Sequence, residues 1–206
     1  MKKSLWLAPV LLIALIATSF RVAPGTLTPD ERKYAADYYS KTKARLLKGL
    51  NGLSEAQLEW KADSTRWSIY QCMEHIALSE SFIYQWLAMS EHQPANPDKQ
   101  SEVKVTTDQI IKMLLDRSHK AQAPEMLKPQ RQFTDTHAAW HAYELRRDST
   151  IDYIRTTQDD LKDHYFKHPT LGMIDVYQGL IFLAAHSERH TEQIEEVMAD
   201  PNFPKH

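Results

Sequence analysis

The shortage of glycine constrains this chain more than any other single feature. Five glycines occur in 206 residues, about a third of the usual share of roughly 7%. Doubly wound α/β folds and β-sandwiches use glycine at their many tight turns, so its scarcity favours helices. The apolar spacing agrees: Ile69, Met73, Ile76, Ile83 and Leu87 recur at helical intervals. Thr28-Pro29-Asp30-Glu31 reads as a helix start, with Thr as N-cap, Pro in the first position and acids in the first turn. That helix stops near Gly49. Further helices are expected from about Ser68 to Glu91, Thr106 to His119, Asp135 to Lys162 and Ile174 to Ala199. Ser54-Glu55-Ala56-Gln57 caps a short turn, and His168-Pro169-Thr170-Leu171-Gly172 reads as a turn. The expectation is an all-α chain: a four-helix bundle with a short accessory helical segment, one domain over residues 28–200.

The N-terminus is set apart. Lys2 and Lys3 precede an apolar run from Leu5 to Ala17, closed by Ala17-Thr18-Ser19. This pattern predicts a secretory signal peptide over residues 1–19 and an exported, periplasmic or extracellular protein. The run is short for a membrane span of about 20 residues. An uncleaved anchor is the alternative, and membrane association is expected only in that case. Lys and Arg number 25 against 27 Asp and Glu, a net charge of −2. That balance speaks against a nucleic-acid partner, which would call for a phosphate-neutralising surface. The single cysteine, Cys72, excludes an internal disulfide, a cysteine zinc site and an iron–sulfur site. A transition metal would have to be held by His, Asp or Glu, and the chain has 10 His.

On the last helix, His186 and His190 fall about 40° apart, on the edge that also carries Leu183, Ile194 and Val197. Glu188, Arg189, Glu192, Glu195 and Glu196 fall on the other side, read as the solvated face. Two imidazoles at an inward edge need partners for their ring nitrogens, and a divalent metal is one such partner. On the second long helix His75 lies beside Cys72 and Ser79, bordering the stripe of Met73, Ile76 and Ile83. A third inward His could complete a three-His site with a position left open for water or substrate. Taken alone, His75 reads as a hydrogen-bonded residue at the core edge. The pairs His137/His141 and His164/His168 read as structural or surface residues. His186-Ser187-Glu188-Arg189-His190 is not a zincin motif, because its Glu points about 200° away from His186. Paired Glu-x-x-His, a phosphate loop and a nucleophile elbow are all missing from the sequence. Cys72 reads as a small core residue, and Trp67 as packing at the helix start. Glu74, about 100° around from His75, is not placed as a general base. Gln193, one turn beyond His190, could orient a ligand.

Trp67-Ser68-Ile69-Tyr70-Gln71-Cys72-Met73-Glu74-His75-Ile76 resembles the opening motif of the DinB-like superfamily. His168-Pro169-Thr170-Leu171-Gly172, followed by His186-Ser187-Glu188-Arg189-His190-Thr191-Glu192-Gln193-Ile194, resembles its closing segment. The order and spacing agree over essentially all of 28–200. The resemblance implies a DinB- and YfiT-like four-helix bundle and a divalent metal, zinc or nickel, held by His75, His186 and His190. Members of this family are described as metal-dependent hydrolases, and relatives include thiol S-transferases that use mycothiol or bacillithiol. The family is mostly cytoplasmic, so the exported N-terminus departs from it and argues against a cytosolic thiol cofactor. The function expected is that of an exported metal-dependent hydrolase or transferase acting on a small-molecule substrate. A non-catalytic bundle that binds a metal or small molecule is the alternative. A third reading is a homodimer through Phe82, Tyr84 and Trp86, although their helical spacing fits the core better.

Overall fold

A computed structural model describes residues 23–118 and 122–205. The residues read as a signal peptide lie outside the described part. Four long helices form the bundle: α1 (Pro29–Leu50), α3 (Ile69–Glu91), α5 (Thr136–Thr156) and α6 (Val176–Met198). Two short ones accompany them, α2 (Glu55–Glu59) and α4 (Thr107–Leu115). Both α1 and α3 pack against α5 and α6, which places α1 diagonal to α3 and α5 diagonal to α6. The accessory helix α4 lies against α6.

The helix starts are written into the sequence. Thr28/Glu31, Ser54/Gln57, Ser68/Gln71, Thr106/Gln109 and Asp175/Gln178 each form a capping box. In each box the cap side chain accepts the backbone N–H three residues on, and the Glu or Gln returns the favour. This satisfies donors that a helix start otherwise leaves unpaired. The core between the helices is split in two. One part gathers Tyr39, Ile83, Leu87, Ile151, Ile154 and Leu180, among others. The second gathers Leu46, Cys72, Met73, Ile76, Tyr143 and Ile194. Between them runs a buried polar layer: Thr42 on α1, Glu80 on α3, Arg147 on α5 and Ser187 on α6.

Three boundaries depart from expectation. Helix α5, expected to run from about Asp135 to Lys162, stops at Thr156. Beyond it, Thr157 Oγ1 accepts Asp159 N–H, and Asp160 Oδ1 accepts the N–H groups of Lys162 and Asp163. Such local side-chain bonds offer the backbone an alternative to the helical ladder. The chain read as a turn at 168–172 is the tip of an antiparallel hairpin, β1 (Tyr165–His168) and β2 (Gly172–Asp175), with His168 opposite Gly172. The helix expected to reach His119 ends at Leu115, where Arg189 donates to the carbonyls of Leu114 and Asp116.

Where α6 passes α3 the two helices come close. A Cβ built on Gly179 would lie 2.2 Å from Leu87 Cδ2 and 3.0 Å from the Phe166 ring. With Leu87 against Gly179 at one level and His75 against His186 and His190 at another, α3 and α6 run antiparallel. That pairing brings the first turns of α3 to the second half of α6, where the histidines are.

Candidate metal centre

Ligand nitrogens of His75, His186 and His190 all lie within 4.8 Å of one another. The ring centroids are 5.2 Å apart for His75 and His186, 4.4 Å for His75 and His190, and 4.7 Å for His186 and His190. His75 is buried, whereas His186 and His190 are only partly covered, so the cluster has one closed side and one side towards solvent. Trp67 stands over the cluster, its ring 5.0 Å from His75 and stacked 6.0 Å from His190. It therefore does more than pack the start of α3.

Two of the three imidazoles have their outer nitrogen fixed. His75 Nδ1 is 2.7 Å from the Leu127 carbonyl oxygen. A carbonyl only accepts, so Nδ1 carries the proton and Nε2 presents a lone pair. His190 Nδ1 lies 2.9 Å from Gln193 Oε1, which fixes the same tautomer when the amide oxygen faces the ring. Ser79 Oγ is 3.4 Å from His75 Nε2, too far to hold that lone pair firmly. Burial lowers the pKa of all three rings. His186 is pushed down to about 3 by desolvation and then by the charge that His75 would carry. His190 is driven well below its usual value by burial, then by His186 and His75. His75 is lowered by burial, against which its bond to Leu127 works. The cluster thus stays neutral and keeps its lone pairs at neutral pH, the state a transition metal requires.

Glu74 is fully buried, and its carboxylate accepts the backbone N–H groups of Gln130, Arg131 and Gln132. It anchors the segment that follows Leu127, and it is not a base aimed at the cluster. A concavity of about 170 Å³ beside it is lined by Ser68, Glu74 and Arg131 among others, and by none of the three histidines. Cys72 is buried in the core with its thiol pushed up to about 12, which makes it inert as a nucleophile. His137 and His141 are exposed, as expected of surface residues. His168 is packed between Trp86 and Phe182. Tyr84 stacks edge-on against Tyr153 and Trp86 against Phe166, so of the three aromatics read as a dimer surface only Phe82 is exposed.

Two features escaped the sequence reading. Glu188 was placed on the solvated face but is buried, accepting from Tyr38 Oη at 2.7 Å and Arg45 Nη1 at 3.0 Å. The face it occupies is covered by α1. The second is the polar layer. Arg147 is fully buried, its guanidinium 4.4 Å from the Tyr39 ring and 4.9 Å from the Tyr143 ring. It donates to Glu80 Oε2 at 2.7 Å and to Thr42 Oγ1 at 3.1 Å.

A family model described as the DinB superfamily matches residues 38–194. YuaE of Bacillus subtilis strain 168, an uncharacterized protein, is 22% identical over 148 residues, covering 72% of this chain and 87% of that one. Among solved structures, YfiT from Bacillus subtilis superposes with a TM-score of 0.58 at 15% identity, over 84% of this chain and 89% of the other. YfiT is described as a probable metal-dependent hydrolase with an unusual four-helix bundle topology.

Proposed function

The chain belongs to the DinB superfamily, and on that premise we propose that it is a metal-dependent hydrolase whose metal is held by His75, His186 and His190. The observation that carries this reading is three neutral imidazoles with their ligand atoms within 4.8 Å. A tetrahedral zinc ion with bonds of 2.0–2.1 Å holds its ligand atoms ~3.4 Å apart, which small side-chain rotations reach from here. Three nitrogen donors without sulfur suit zinc or nickel, and three protein ligands leave a position for substrate.

When bound, such a metal supplies Lewis acidity that polarises a carbonyl and activates water near neutral pH. The chain's own residues do the rest. Leu127 and Gln193 orient two of the ligating rings. Trp67 roofs the cluster on the His75 and His190 side and narrows the access of water. The carboxylates beside the histidines in sequence or in the bundle are already occupied: Glu74 by backbone N–H groups, Glu80 by Arg147, Glu188 by Tyr38 and Arg45. The reading therefore assigns no carboxylate as general base.

Substrates are small molecules with an ester, amide or similar bond. The basic, apolar and small-residue pattern of residues 1–19 supports work outside the cytoplasm. Among the described residues no helix is long and apolar enough to cross a membrane. The deciding experiment is elemental mass spectrometry on protein purified without a histidine tag, beside His186→Ala. One metal per chain in the first and none in the second is the expected result, followed by a screen of ester and amide substrates. Metal absent from both after incubation with zinc or nickel would refute the reading. Metal present with no turnover would leave a metal-binding bundle without catalysis.

A further inference from the structure

His168 stands beside the proposed metal centre and has no part in it. Its ring is held by the hairpin tip. The backbone N–H groups of Thr170 and Leu171 point at His168 Nδ1 from 3.2 Å and 3.3 Å, and Thr170 Oγ1 lies 3.2 Å from the same atom. A nitrogen that accepts from backbone N–H groups carries no proton, so the neutral ring is protonated at Nε2. Gly172 makes this turn with φ at +78°, in the left-handed region that favours glycine. The whole tip thus serves to fix one tautomer of one imidazole. Among the described residues no acceptor meets the Nε2–H.

The ring's faces are also fixed. Trp86 stacks on His168 at 6.0 Å and 23°, and Phe182 packs on it at 4.6 Å. Phe182 lies one turn before His186 on α6, and those two rings stack at 6.0 Å and 29°. His168, Phe182 and His186 therefore form a continuous row of rings, with a hydrogen-bond donor at one end and a proposed metal ligand at the other.

The geometry points to His168 as a substrate-binding residue, whose Nε2–H donates to a second oxygen of a substrate held at the three-His site. Phe182 forms the apolar floor beneath the link between the two ends. This rests on the metal reading above and narrows its substrate class. The substrate is a small acyl compound with an ester or amide at one end. A short apolar segment separates that group from a carbonyl or carboxylate oxygen.

The test uses two hydroxamates of equal chain length on zinc-loaded protein, followed by titration calorimetry. Butyrohydroxamate ends in a methyl group and succinic monohydroxamate in a carboxylate. The carboxylate probe is expected to bind about tenfold tighter or more, the effect of one hydrogen bond to a charged acceptor. His168→Asn keeps an acceptor for the turn and loses the outer donor, so the preference should vanish while zinc content and butyrohydroxamate affinity hold. His168→Gln, with a donor near the Nε2 position, should restore part of it. Equal affinities in the unaltered protein, or a preference that survives His168→Asn, would overturn the assignment and leave the metal centre standing. Failure of both probes on zinc-loaded protein would overturn this inference and leave a metal-binding bundle with no open position for substrate, whereas failure to load zinc at all would remove the metal reading and this inference with it. A metal-independent check is long-range ¹H–¹⁵N NMR of the His168 ring. The Nε2–H tautomer is expected, and an Nδ1–H tautomer would overturn the assignment by itself.

Discussion

Two polar clusters lie little more than one turn apart along α3, and they are built on opposite plans. Around Arg147 a buried cation meets a buried anion, Glu80, with hydroxyl and aromatic partners supplied by Thr42, Tyr39 and Tyr143. Burial raises the Glu80 carboxyl, and Arg147 pulls it back. Around His75, His186 and His190 no anion among the described residues answers the rings, and burial holds them neutral. The first set pairs its opposite charges, although Glu80 Oε1 and Arg147 Nε carry no hydrogen bond, and through Thr42, Glu80, Arg147 and the Tyr143–Ser187 contact it reaches all four long helices. The second presents lone pairs that converge within 4.8 Å of one another, and Ser79 approaches one of them at long range. Burying polar groups is costly in both places. What separates the structural cluster from the candidate site is that the first supplies its own counter-charge, whereas the second leaves converging lone pairs for a cation.

That contrast is broken most severely at Arg147. Arg147→Met should strand the Glu80 carboxylate in the core and lower the unfolding free energy by about 3–5 kcal/mol, since removing one partner leaves an uncompensated buried charge. Pairing it with Glu80→Met should recover most of the loss. Urea denaturation of the three proteins measures this. A single variant costing under about 1 kcal/mol would mean that Glu80 does not depend on Arg147 for its counter-charge.

The histidine site was far more legible in the sequence than this layer. His186 and His190 showed themselves by i, i+4 spacing on an inward edge, and the family motifs brought in His75. The layer left a signal that was passed over. On α3 the apolar stripe runs Met73, Ile76, Ile83, Leu87, and the position it skips is Glu80. On α5 Arg147 falls between Tyr143 and Ile154 on the buried stripe. A charge at a core position calls for a buried partner, whereas a charge on a helix is ordinarily taken for solvated surface. Glu188 was misplaced for a related reason. Helix α6 packs against α1, α3 and α4, so little of its circumference is free, and a helical wheel carries no record of neighbours. The hairpin was missed because four-residue strands are too short to show a period.

At the three-His site the corresponding effect is conditional. Zinc at 100 times its dissociation constant should stabilise the protein by about 2.7 kcal/mol, because it binds only the folded chain. In His186→Ala that gain should vanish, as thermal unfolding with and without zinc would show. Acid should sharpen the same point in metal-free protein. His186 titrates near 3 in the folded state and near 6.5 when unfolded. Between these values the unfolded chain binds more protons, so stability falls as pH drops below about 6.5, by at most about 2 kcal/mol at pH 5. Asp175 works the other way. Burial raises it to about 7, so its contribution is lost as pH rises towards that value. The difference between the unaltered protein and His186→Ala, followed from pH 7 to pH 5, separates the two. A difference that does not change with pH would show that His186 is not held neutral.

The finest distinction rests on Gln193, which touches the histidine cluster without belonging to the charge-paired one. Its Oε1 accepts from His190 Nδ1 and keeps Nε2 free. Gln193→Leu should weaken zinc binding by about 10- to 100-fold, the usual consequence of losing such a partner, measured by competition with a chromophoric chelator. Without metal its stability should change by less than about 0.5 kcal/mol, as at other partly exposed positions. Gln193→Glu should bind zinc at least as well as the unaltered protein, because a carboxylate is a stronger acceptor for the ring N–H. A Gln193→Leu variant that lost stability but kept its zinc affinity would place this residue with Arg147, as part of the scaffold, and would leave His190 to be oriented by packing alone.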